Sequence, residues 1–260
     1  MRRTLPALLL TLSIVACGGE NAREEMIAAA NRTVNQEGLR AQLEGEIRVE
    51  GAPAPLPVSA RAVVAQGGER TRSTADVSAV QGPGTPDGAQ EVITIGEDVY
   101  LRSPALRSVR KKGVTEEWIL FDGQARGQTG LGTGTAGLGS GDPTEVLASL
   151  DRTAGDVEEV GQESVRGADT TRYRTTVDLT GVEGAKEEGL GEPIPTEVWV
   201  GEDGLVHRVR QQVPFSEAGQ TGRVDFTLEY FDFGVQERIE PPPEDEVVSA
   251  EEAFGERSGG

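Results

Sequence analysis

From residue 43 to residue 233 the sequence keeps returning to a period of two. In Leu43-Glu44-Gly45-Glu46-Ile47-Arg48-Val49-Glu50 the odd positions are apolar or small and the even ones charged. Tyr173, Thr175, Val177 and Leu179 alternate with Arg172, Arg174, Thr176 and Asp178. Val224, Phe226, Leu228 and Tyr230 alternate with Arg223, Asp225, Thr227 and Glu229. Successive side chains of a strand point to opposite faces, so each run reads as a strand with one buried and one wet face. The chain therefore has to build an antiparallel sheet that is greasy on one side only.

The punctuation agrees. Gly67-Gly68, Gly96-Glu97-Asp98 and Glu202-Asp203-Gly204 are tight-turn sequences between such runs. Strands are expected at 43–50, 58–66, 69–77, 91–95, 99–102, 118–121, 157–165, 170–179, 196–200, 205–213 and 222–233. A period near 3.6 occurs first at 24–36, where Met26, Ile27, Ala30 and Val34 predict a helix. Asp142-Pro143-Thr144-Glu145 opens a second helix: Asp142 can cap it, Pro143 suits its first turn, and Val146, Leu147 and Leu150 form its apolar face. Residues 182–190 read as a short helix or a loop. The fold class is α+β, mainly β: one large curved antiparallel sheet, a half-barrel, with two or three helices on its concave side.

That class carries a functional implication. Two helices of about ten residues cover only part of the inner face of such a sheet. Either the sheet closes into a barrel or an apolar concavity remains, and an apolar concavity is normally a binding site.

Composition narrows the alternatives. Formal net charge is −19, which opposes nucleic-acid binding. A single histidine and a single cysteine exclude a multi-histidine metal site, an internal disulfide and a CxxC centre. Gly132-Thr133-Gly134-Thr135-Ala136-Gly137 fits GxGxxG. Further glycines delay the next helix beyond Pro143, and the flanking elements are hairpins, so the dinucleotide reading fails and a loop is left. His207 is expected to face inward with Leu205, Val209 and Val213, as a hydrogen-bonded core residue or a contact at the edge of the cavity. No serine stands in a GxSxG setting. The acidic pairs Glu116-Glu117, Glu158-Glu159 and Glu187-Glu188 are adjacent in sequence and diverge on a strand. Catalysis, cofactors and metals are thus not expected.

The N-terminus indicates location. Arg2 and Arg3 precede twelve uncharged residues, Leu5 to Ala16. That is too short for a membrane span and suits a signal segment. Ile14-Val15-Ala16-Cys17 resembles a bacterial lipobox. The resemblance implies cleavage before Cys17 and lipid attachment on it; the alternative is a plain signal peptide with an incidental cysteine. Two or three acyl chains would hold the domain on a membrane durably. The expected organisation is a signal peptide at 1–16, a lipidated tether at 17–24, a half-barrel domain at 25–236 and an acidic, partly disordered tail at 237–260 in which Val247-Val248 can add to a sheet edge.

The lipobox, the strand-rich body and the hairpin Val198-Trp199-Val200-Gly201-Glu202-Asp203-Gly204-Leu205-Val206-His207-Arg208-Val209 together resemble the actinobacterial lipoproteins related to the mycobacterial carriers LprG and LppX, with a wider likeness to the LolA/LolB fold. Glu97-Asp98-Val99-Tyr100 and Trp118-x-x-Phe121-Asp122 also fit. The resemblance implies a half-barrel with a pocket for acyl chains. It also implies carriage of a lipid or glycolipid at the outer, extracytoplasmic face of the cell membrane, with a transporter as candidate partner. The expected lining is Leu43, Ile47, Val49, Val64, Val146, Leu147, Leu150, Val177, Val209, Phe226 and Leu228. The chain is expected to be monomeric. A second reading is an envelope interaction or sensor lipoprotein with a filled core and no lipid cargo.

Overall fold

The computed structural model describes residues 18–76, 78, 88–108, 110–122, 142–152, 155–179, 192–217 and 219–255. The signal segment 1–16, Cys17, the glycine-rich loop 123–141 and the segment 182–190 lie outside the described residues.

The chain is mainly β, with one open, curved sheet of 12 strands and three helices among the described residues. The first half is a meander: β1 (Gly38–Val49), β2 (Leu56–Ala65), β3 (Arg70–Asp76), β4 (Ala89–Ile95), β5 (Asp98–Arg102) and β6 (Trp118–Phe121). A second meander comprises β7 (Glu158–Val165), β8 (Ala168–Val177), β9 (Ile194–Gly201), β10 (Val206–Glu217) and β11 (Gln220–Phe231). β1 and β11 pair from Arg40↔Phe231 to Val49↔Gly222, so the two meanders join through their first and last strands. The spatial order is β12-β6-β5-β4-β3-β2-β1-β11-β10-β9-β8-β7.

The twelfth strand adds at the sheet edge and pairs in parallel. β12 (Val247–Ser249) pairs with β6 in parallel, Val247↔Trp118 to Ser249↔Leu120. A parallel partner needs a long connection, and residues 232–246 supply it by crossing the outer face of the sheet. Ile239 of this strap is 1% exposed and packs with Ala65, Ile93 and Trp118. Arg70 Nη1 donates to the Ile239 carbonyl at 2.7 Å, and the Gly234 amide donates to Gly38 O at 2.7 Å. The strap therefore folds onto the outer face, because Ile239 and Val247 find a matching apolar row there, while Val248, Ala253 and Phe254 pack with Val92, Leu101, Ile119 and Phe121 on the inner face.

The helices all lie on the inner face. α1 (Gly18–Val34) begins earlier than the periodicity at 24–36 suggests, so the stretch read as a tether is helical from Gly18. Its Met26, Ala29 and Ala30 are buried. α2 (Thr144–Ala148) starts where Asp142 accepts hydrogen bonds from the Thr144 amide and hydroxyl, at 2.8 and 2.7 Å. α3 (Ala250–Phe254) is the unexpected helix; Ser249 caps it, accepting from Glu252 N at 3.2 Å. Phe254 stacks on Phe121 with centroids 6.4 Å apart. None of the described helices is long and apolar enough to cross a membrane.

Candidate functional site: the concave face

Register fixes which residues share the inner face. One row runs Ala75, Ala60, Leu43, Leu228, Val209, Val198, Tyr173 across seven strands. The next runs Val58, Gly45, Phe226, Gln211, Thr196, Thr175. A third runs Leu56, Ile47, Val224, Val213. Gly45 is required opposite Phe226: a Cβ there would meet Asp225 O at 2.5 Å and Phe226 Cβ at 2.9 Å.

The expected lining residues come together. Leu43, Val64, Val146, Leu147, Leu150, Val177, Val209, Phe226 and Leu228 belong to one buried cluster under α1 and α2, with Ile47 half-buried against it. Val49 is half-buried at the open end of β1 and lies outside that cluster. Val58 and Phe215 are half-buried against the same cluster and complete an apolar band with Ile47. Under α3 lies a second inner cluster, built on Val92, Leu101, Ile119 and Phe121. Small side chains, Ala41, Ala60, Ala62, Ser73 and Ala75, lie in register across β1, β2 and β3, with Ala41 and Ala62 buried in the first cluster.

The inner face also carries polar side chains that the apolar pattern did not single out. Gln211 is 1% exposed between Val209 and Val213. Its Nε2 donates to Thr196 Oγ1 at 3.2 Å, and that hydroxyl donates to Ile194 O at 3.0 Å. Gln211 Oε1 and Thr175 Oγ1 are buried without a hydrogen-bond partner. The available signal was a glutamine at an inward position of a strand. Tyr173 has its hydroxyl pKa pushed up to about 12, by burial and then by the nearby carboxylates of Glu25 and Glu159.

His207 departs from the expected alternation. Register shifts between Val206 and Arg208, so Val206 takes the inner position opposite Val200 and His207 is the extra residue of a bulge. Its ring lies 3.1 Å from Asp203 Oδ2 and edge-on to Phe233, with centroids 5.1 Å apart. The bulge moves it to the end of the hairpin and away from the row of Val209 and Val213.

On the outer face the charged residues pair. Arg208 and Arg166 donate to Glu229 at 2.7 Å each. Arg208 and Arg172 sit over the Trp199 ring, each 5.2 Å from its centroid, and Trp199 Nε1 donates to Glu163 at 3.0 Å. A shallow groove of about 370 Å³ lies there between Glu44, Glu163, Glu197, Trp199 and Arg210. Its cations already face carboxylates, which makes it a structural ladder of ion pairs. Among the described residues no group of three acidic, histidine or cysteine side chains could hold a metal ion.

An open, one-sided sheet with helices on its concave side is the fold that the described residues define. Two solved structures share it. LprF from Mycobacterium bovis aligns with 86% of this chain and 99% of its own, at 13% identity and a TM-score of 0.50. LppX from Mycobacterium tuberculosis aligns with 85% of this chain and 99% of its own, at 14% identity and a TM-score of 0.54. This is the fold that the sequence resemblance implied. No protein-family model and no curated protein sequence matches the chain.

Proposed function

We propose that this chain is a membrane-anchored lipoprotein that binds the acyl chains of a lipid or glycolipid on its concave face and carries or presents it across the cell envelope. The observation that carries the reading is the arrangement of the inner face. Two apolar clusters, one under α1 and α2 and one under α3, line the inner face, and the first runs out to the half-buried band of Ile47, Val58 and Phe215. The shared fold with LprF and LppX supports it.

The mechanism is passive. Moving alkyl surface from water onto this face stabilises the complex by about 25 cal/mol per Å². Diacylglyceryl attachment at Cys17 would keep the domain beside the membrane, which its acidic surface would not do alone. No covalent step is required of the protein.

Native mass spectrometry of the purified chain tests this. Bound species in the mass range of a lipid are expected, and Val58→Trp, which fills the inner face beside Gly45, is expected to reduce their occupancy several-fold. A chain that carries no lipid would support the alternative of an interaction or sensor lipoprotein with a filled core.

A further inference from the structure

We propose that Gln211 and Thr175 form a polar subsite on the concave face that takes the hydroxyl group of a neutral lipid. The inference rests on the carrier reading and narrows its cargo. Gln211, Thr196 and Thr175 are direct register partners on β10, β9 and β8. They form one polar row, spanning about 10 Å, beside the buried Val209, Val213, Ile194 and Val177.

The network fixes the Gln211 amide. The single proton of Thr196 goes to Ile194 O, so Thr196 Oγ1 can only accept there, and the Gln211 nitrogen must face it. Gln211 Oε1 is thereby turned away from its only side-chain partner. It and Thr175 Oγ1 are the two orphaned polar atoms of this row. A buried acceptor without a donor is costly, and native proteins keep one where a ligand or water completes it.

The missing partner has a definite chemistry. Oε1 needs a donor, and the Thr175 hydroxyl can give or take a proton. A lipid hydroxyl meets both: its proton goes to Oε1 and its oxygen accepts from the threonine. A phosphate or carboxylate offers only acceptors and brings a charge. The immediate surroundings are Val209, Val213, Phe226, Ile194 and Val177, all buried and none cationic. Further along β8, Glu25 and Glu159 lie near Tyr173 and would repel an anion. A buried charge without a counter-ion is prohibitive. The cargo is therefore an uncharged lipid that hides a hydroxyl together with its chain.

The test uses the full chain and two probes that differ by the donor alone: 1-dodecanol and its methyl ether, 1-methoxydodecane. Each competes with a fluorescent acyl probe. The alcohol is expected to displace it at roughly tenfold lower concentration. Gln211→Leu should bring that ratio to about one, and Gln211→Met serves if the leucine variant does not fold. Thr175→Val should weaken both ligands alike, since the ether oxygen also accepts from the threonine hydroxyl. Equal displacement by the two ligands overturns the subsite and leaves the carrier reading standing; so does a preference that survives in the Gln211 variants, or a Thr175→Val chain that binds as the parent does. Failure of the acyl probe itself to bind overturns the carrier reading and the subsite together.

Discussion

The hydroxyl of Tyr230 donates to the carbonyl oxygen of Pro143 at 2.8 Å, tying the last long strand of the sheet to the entry of α2. Tyr230 is wholly buried, and burial, with the charge of Asp142, holds its pKa well above the usual tyrosine range. This bond positions Val146, Leu147 and Leu150 over the inner face. Tyr230→Phe keeps the ring and leaves the Pro143 carbonyl unpaired. A loss of about 1–2 kcal/mol is expected, read as a fall of roughly 2–6 °C in melting temperature by circular dichroism. An unchanged melt would show that α2 is held by its apolar contacts alone.

The strap at 232–246 should matter as much as any strand. At Gly38 an added Cβ would stand 2.0 Å from Val235 O and 3.0 Å from Val64 O. Gly38→Ala is therefore expected to cost about 1–3 kcal/mol through forced separation of strap and sheet. Ile239→Ala, which empties a buried site on the outer face, should cost about 2–5 kcal/mol. Urea titrations of both variants measure this; wild-type midpoints would mean the strap contributes nothing to stability.

Acid should weaken the outer ladder. Burial pushes the Glu229 carboxyl up, but hydrogen bonds from Arg208 and Arg166, and their charges, outweigh it and hold its pKa below the ordinary value. A hydrogen bond from Trp199 is the main cause that depresses Glu163, opposed by desolvation and assisted by Arg208. For a depressed carboxyl the stabilisation is complete above the unfolded pKa, about 4.3, and is lost as pH falls through the lower folded value. Glu229→Gln should therefore destabilise the chain by about 1 kcal/mol at neutral pH and progressively less below pH of about 4. A constant deficit across that range would contradict the ion-pair account.

Alkali acts on the inner face. Tyr173 ionises at about 12 in the folded chain, against about 10 for a free tyrosine. A raised folded pKa gives stability that is present below the unfolded value and lost as pH rises through the folded one. Between these values the unfolded chain alone ionises, so native stability should fall over that window. Tyr173→Phe should flatten the fall in a pH series of denaturant midpoints, and an unaltered slope would assign it to other groups.

The proposed anchor has its own test. Cys17→Ser should move the chain from the membrane pellet to the soluble fraction and remove the lipid mass from its N-terminal peptide. Retention on the membrane by the serine variant would mean that another feature attaches it.

Much of the strand inventory was written locally. Val224, Phe226, Leu228 and Tyr230 alternate with polar neighbours because a half-buried strand has two environments one residue apart, and that requirement is visible in any short window. The Asp-Gly turn at Asp203-Gly204 was equally local, and so was the hydrogen bond by which Asp142 holds the Thr144 amide at the start of α2. Most of the residues expected to line the hollow share one cluster for the same reason: alternation names the inward side chains.

Alternation assigns faces, not neighbours. That β1 lies beside β11 follows from the closure of two meanders whose strands are distant in sequence, and only the packed sheet selects it. The bulge at His207 is settled by the fit of Val206 against Val200 and of its amide on Thr33 Oγ1 at 2.8 Å, which no short window contains. The strap depends on an apolar row on the outer face that exists only once β2 to β6 are assembled, and α3 depends on the inner cluster of Val92, Leu101, Ile119 and Phe121. The sequence alone determined where the strands run and which side chains turn inward, because those are one-residue preferences. The tertiary structure decided strand order, helix cover and the orphaned Gln211 oxygen, because each depends on what the rest of the chain brings to within a few ångströms.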